Sequence, residues 1–94
     1  MGHEDRKFPA RLRRYLAAAE NGKAEAFYHL GLYYASGHGV DPDYVAAHKW
    51  FNLAAVRGVK EAVAERAELA REMSPADIAA AQREAREWLQ AHAA

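Results

Sequence analysis

The chain contains no cysteine, which excludes disulfide scaffolds, iron–sulfur clusters, thiolate zinc sites and cysteine nucleophiles. It also contains no threonine and only two serines, Ser36 and Ser74. Helix termination accounts for Ser36 and helix capping accounts for Ser74, so a serine triad is not indicated. We therefore name no catalytic residue and expect no enzyme.

The sequence also lacks an excess of one charge, since 13 Lys and Arg residues balance 13 Asp and Glu residues. This balance argues against a nucleic-acid or anionic-membrane binder, which usually shows a basic excess. No apolar run approaches the about 20 residues of a membrane span, and the first residues lack the apolar core of a signal peptide. We expect no membrane insertion and a cytoplasmic location, with the periplasm left open if the chain was processed or trimmed.

Alanine and aromatic residues dominate what is present, with 23 alanines and 11% aromatics in 94 residues. Alanine favours helix but fills a core poorly, so closely approaching helices anchored by aromatic rings are indicated. Glycine and proline divide the chain into five helical segments, and no segment shows the alternation of a strand. The predicted helices span 9–20, 23–36, 42–57 and 59–72, with a fifth that begins at Ser74. Residues 1–8 are expected to be a flexible segment and 9–94 a single domain.

Three helix starts have sequence signals. Pro9 suits the first turn of the first helix, and Ser74 is the predicted N-cap of the fifth. Asp41 is the predicted N-cap of the third helix, with Pro42 in its first turn. The pair Asp41 and Asp43 has two interpretations, a catalytic acid/base pair or capping charges, and capping is favoured.

An internal repeat is visible at a spacing of 36 residues, and a period of this size with two helices per unit is typical of an α-solenoid. Gly22 aligns with Gly58, Ala26 with Ala62, and Tyr15 with Phe51.

Residues 22–58 resemble the Sel-1-like repeat family, whose units are pairs of helices. The resemblance is carried by glycine, alanine and large apolar positions: Gly22, Ala26, Leu30, Gly31, Tyr34, Gly37, Gly39, Val40, Asp43, Ala47, Trp50, Phe51, Ala54, Ala55 and Gly58. It implies an all-α, short right-handed α/α solenoid of the tetratricopeptide-like type, as in bacterial members. Residues 9–21 then form a degenerate half-repeat, 22–58 a complete repeat, and 59–94 a half-repeat with a C-terminal capping helix.

The resemblance implies a non-catalytic adaptor or scaffold that binds a peptide or protein partner and needs no cofactor. Phe27 and Tyr33 exceed what the core of one repeat requires, so they have two interpretations: core residues, or aromatic anchors in a concave groove. Lys23, His29 and Asn52 are candidate polar residues at the rim of that groove. The alternative function is self-association, in which the open ends of the solenoid form a homo-oligomer.

Two further features have competing interpretations. The five histidines, His3, His29, His38, His48 and His92, lack metal-ligand spacing, so surface or loop positions are favoured and no metal is expected. His38 is the most noteworthy because it lies between two glycines. Residues 1–23 carry a net charge of +3, which suits either solubility or attraction to an acidic surface, including that of another copy.

Overall fold

The computed structural model describes residues 9–38 and 40–93, and in these ranges it contains five α-helices and no strand. The helices are α1 (Ala10–Glu20), α2 (Ala24–Ser36), α3 (Tyr44–Val56), α4 (Lys60–Ala70) and α5 (Pro75–Ala91). The all-helical class and the number of helices are thus confirmed. The segment 1–8 that is expected to be flexible, with His3, and Gly39 of the repeat signature lie outside the described residues.

The start of α5 agrees with the predicted cap, whereas the start of α3 does not. Ser74 Oγ accepts a hydrogen bond from the Asp77 backbone N–H at 3.1 Å, as expected for an N-cap. At α3, Asp43 rather than Asp41 is the cap, because its Oδ1 accepts from the Ala46 N–H at 3.0 Å. The prediction of Asp41 as the cap, with Pro42 inside the helix, is therefore wrong.

The position of Pro42 explains why α3 begins later than predicted. A Cβ atom placed on Gly37 would lie 2.6 Å from Pro42 Cγ, so the proline packs against the turn that ends α2. Gly37 has a φ of 72° and closes α2 in the left-handed conformation, which glycine adopts without steric cost. The backbone N–H of Asp43 then donates to the Tyr34 carbonyl at 2.9 Å, which fixes the loop before α3 starts.

The α2–α3 pair is the most closely packed part of the core. Gly31 lies under the Phe51 ring, and an added Cβ there would be 2.4 Å from two ring carbons. Gly31 therefore admits a bulky neighbour because it has no side chain. The residues buried in this pair are Ala26, Phe27, Leu30, Gly31, Ala47, His48, Trp50, Phe51, Leu53 and Ala54.

Helix α3 lies at the centre of the molecule and packs against α2, α4 and α5, whereas α1 packs against α2. Helix α5 makes its main helix contact with α3 and little backbone contact with α4, its neighbour in the chain. Its Trp88 ring meets the Phe27 ring edge-on at 5.1 Å and the Trp50 ring at 6.3 Å. Within the described ranges, none of the helices has both the length and the apolar character that a membrane span requires.

Candidate functional site: a pocket between α1 and α2

The structure separates the five residues that the sequence suggests as a partner-binding set. Phe27 has no exposed surface, so its assignment to a binding groove is corrected here: it is a core residue. Its ring packs between the side chains of Trp50 and Trp88, which exclude any partner from it. Lys23 is exposed immediately before α2 and lies outside the pocket described below.

Asn52 is half-buried and connects α3 to α4 instead of lining the same surface as His29 and Tyr33. Its Oδ1 accepts from Arg66 Nη1 at 2.6 Å, and its Nδ2 lies 3.3 Å from His48 Nδ1. His48 is buried, contrary to the expectation of a surface position. Burial, followed by the Arg66 charge, lowers the pKa of His48 below its usual value, so this histidine is suited to a neutral, structural role.

His29 and Tyr33 do lie together, at a pocket of about 250 Å³ between α1 and α2. Residues 29, 33 and 36 share one face of α2, because positions three and four apart are neighbours on a helix. The residues that line the pocket are Arg11, Tyr15, His29, Leu32, Tyr33, Ser36 and His38. We call this cavity the α1–α2 pocket.

Aromatic contacts organise the walls of the α1–α2 pocket. The Tyr15 ring stacks on the His29 ring, with centroids 4.5 Å apart and planes inclined by 14°. Tyr33 lies 6.1 Å from Tyr15 and 6.4 Å from His38, tilted in both cases. Ser36 orders the end of the pocket, since its Oγ accepts from the His38 N–H at 3.1 Å. Rings held by neighbouring rings lose little further freedom when a ligand binds.

The polar side chains that line the pocket are mainly hydrogen-bond donors. Arg11 supplies a guanidinium group, the tyrosines supply hydroxyls and the histidines supply ring nitrogens, whereas none of the described residues that line the pocket is a carboxylate. Leu32 and the ring faces add apolar surface. Such a pocket suits a ligand with an acidic group next to an apolar one.

The cavities beside α4 have the opposite character. One of about 290 Å³ is bordered by Glu65, Glu68 and Glu72 as well as Tyr44. The carboxylates of α4 also reach Tyr28, whose pKa is raised by burial first and then by Glu65 and Glu61. The two sides of the molecule therefore differ in the charge of the ligand that they would attract.

Sequence features point to His29, Tyr33 and His38, but they do not indicate that α1 forms one wall of this pocket. Arg11 and Tyr15 both lie in α1, and no short-range feature of the sequence indicates that they face His29 on α2. In the described part of the chain, no three His, Asp or Glu side chains are placed to hold a metal ion. No protein-family model, no curated protein and no solved structure matches this chain.

Proposed function

We propose that the chain is a non-catalytic interaction module of the Sel-1-like repeat type, which binds an acidic peptide segment of a partner in the α1–α2 pocket. The observation that carries the proposal is the lining of that pocket, whose residues within 9–38 combine aromatic rings and donor groups and include no carboxylate. The solenoid arrangement belongs to this proposal as well. It is supported by the chain's resemblance to the repeat and by the order of packing from α1 through α2 and α3 to α4.

The mode of binding follows from the geometry of the pocket. An apolar side chain of the peptide packs against the Tyr15 and Tyr33 rings, and an adjacent Asp or Glu accepts hydrogen bonds from Arg11 at the rim. Aromatic anchors of this kind contribute most of the affinity in small interfaces, whereas exposed charges mainly set selectivity and the rate of association. Adaptor function would then depend on which partner displays such a segment.

Selection of short random peptides on the purified chain tests the proposal. We expect enrichment of segments with Asp or Glu beside an apolar residue, and binding that weakens as salt is raised. The Tyr33→Ala variant should lose about 2 kcal/mol of binding free energy, roughly 30-fold in Kd. Tyr44→Ala is the matched control, because Tyr44 is an exposed tyrosine outside the pocket.

The result of the selection decides the proposal in either direction. Enrichment of basic peptides, or equal binding to the Tyr33→Ala variant and the parent, would contradict it. Circular dichroism of each variant ensures that the comparison is between folded proteins.

Self-association is the second candidate function, and the carboxylates beside α4 favour it. The acidic α4 side of one copy complements the α1–α2 pocket of another, and a head-to-tail contact of this kind builds open chains or rings. Sedimentation over a concentration series distinguishes the two functions. A monomer at all concentrations supports peptide binding, whereas assembly that disappears with Arg11→Glu supports self-association.

A further inference from the structure

The C-terminal end of α5 is connected to the end of α1 by one histidine side chain. His92 follows α5 directly, and its Nε2 lies 2.9 Å from Glu20 Oε1, on the last residue of α1. Its Nδ1 lies 2.8 Å from the Trp88 carbonyl oxygen. The imidazole ring also stacks on the Trp88 indole, with centroids 3.6 Å apart and planes inclined by 8°. Three contacts thus converge on one side chain.

The hydrogen-bond partners determine the protonation state of this ring. A carboxylate oxygen and a carbonyl oxygen are both acceptors, so each bond requires an N–H on the imidazole. Neutral histidine carries only one N–H, and only the imidazolium form can donate at both nitrogens. The observed geometry therefore belongs to charged His92.

We propose that His92 is a proton-dependent latch that holds the C-terminal end of α5 on α1. When the ring is protonated, it bridges Glu20 and Trp88; when it loses a proton, one of the two bonds is lost together with the ion pair. This inference does not depend on the proposed peptide function, because no latch residue lines the α1–α2 pocket.

The position of α5 makes the latch consequential. Helix α5 has little backbone contact with α4 and makes its main helix contact with α3, and residues 90–93 at its C-terminal end are exposed. Trp88, which carries the stacked imidazole, is itself packed on Phe27 and Trp50. Release of His92 would therefore free residues 90–92 and uncover the outer face of Trp88, while the indole stays packed on Phe27 and Trp50.

The charged groups around His92 agree with a latch that opens as the pH rises. The Glu20 hydrogen bond first, and then the Trp88 carbonyl, raise the pKa of His92 above its usual 6.5, while Lys49 on α3 opposes the shift. A histidine whose folded-state pKa is raised stabilises the fold below its unfolded pKa. That contribution disappears as pH rises through the folded-state pKa. The latch is therefore closed at a pH below the folded-state pKa of His92 and open at a pH above it.

Buried His48 acts in the opposite direction and must be separated from the latch. Because its folded-state pKa is lowered, its contribution to stability is present above the unfolded pKa and is lost as pH falls from there through the folded-state pKa. A pH curve for unfolding of the whole chain would mix the two histidines. The test therefore needs a signal from each residue.

An NMR titration of the histidine rings in the full chain provides that signal. We expect the midpoint of His92 to lie above 6.5, to fall in Glu20→Gln and to remain unchanged in Glu87→Gln, an exposed carboxylate of α5. In parallel, amide protection factors at Gln90, Ala91 and His92 should fall several-fold as pH rises through the midpoint. In His92→Gln this pH dependence should be absent.

Two results would overturn the latch. One is a His92 midpoint at or below its ordinary value, which would mean that the ion pair does not form in solution. The other is a raised midpoint with protection factors that stay constant across it, which would mean that the pair forms without holding α5.

Discussion

Helix α3 joins two partners in different ways. On α2 it packs through Gly31 and Phe51, where the absence of a side chain lets a ring approach the backbone. On α5 it packs through Trp50, whose indole meets that of Trp88 edge-on with ring centroids 6.3 Å apart. The α2–α3 interface, or α2–α3 joint, depends on the lack of a side chain at Gly31. The α3–α5 interface, or α5 joint, depends on the volume of the Trp88 side chain.

Because the two interfaces of α3 are built differently, we expect them to tolerate different substitutions. Helices α2 and α3 are consecutive and tied by the loop hydrogen bond between Asp43 and Tyr34. Helix α5 has no comparable tie to the helix that it packs on, and its C-terminal end is held by the contact of His92 with Glu20, 72 positions earlier in the chain. The α2–α3 joint should thus be sensitive to added volume, and the α5 joint to lost volume.

Of the changes that test this difference between the two interfaces, removal of the Trp88 ring should lower the free energy of unfolding most. Trp88 is buried against Phe27 and Trp50, and Trp→Ala substitutions in cores cost about 3–5 kcal/mol. Urea unfolding of Trp88→Ala should show a loss in this range, with Trp88→Phe intermediate because it keeps a ring. A loss below about 1 kcal/mol would mean that α5 contributes little to the fold.

Added volume at Gly31 should have the next largest effect. In Gly31→Ala the new methyl group meets the buried Phe51 ring, and overpacking of this kind costs about 1–3 kcal/mol. The higher helix propensity of alanine offsets part of that loss. Combining Gly31→Ala with Phe51→Leu should recover stability relative to the sum of the single changes. Simple additivity in a urea-unfolding cycle would refute the close approach.

The two helix caps should have the smallest effects and allow a matched test. Asp43→Ala and Ser74→Ala each remove one cap hydrogen bond, and each should cost about 1 kcal/mol. Asp41→Ala should change the unfolding free energy by less than about 0.5 kcal/mol, since Asp41 is exposed and does not cap α3. An equal loss in Asp41→Ala and Asp43→Ala would contradict the observed start of α3.

Much of the fold was predictable because its signals are local. Proline, glycine and capping residues mark the ends of helices, so five helices and the cap at Ser74 could be predicted. The error at Asp41 has a tertiary cause, since Pro42 packs on Gly37 and delays the start of α3. Two aspartates that flank a proline have equivalent capping signals, and only the path of the loop distinguishes them.

The candidate site was predicted in part for the same reason. His29 and Tyr33 lie on one face of α2, and helix periodicity alone places them side by side. Phe27 was ambiguous because an aromatic residue on a helix that is apolar nearly all round can face either the core or a groove. Its burial follows from the approach of Trp50 and Trp88, which come from two other helices.

Local sequence signals suffice to show that the chain is helical and where most of its helices begin and end. These properties depend on backbone conformation and on residues a few positions apart. It takes the packing of the helices to bring Arg11 and Tyr15 to His29 in one pocket, to bury His48 and to bring His92 to Glu20. Contacts between residues far apart in the chain depend on how helices cross, and crossing is set by the packing of all the side chains together.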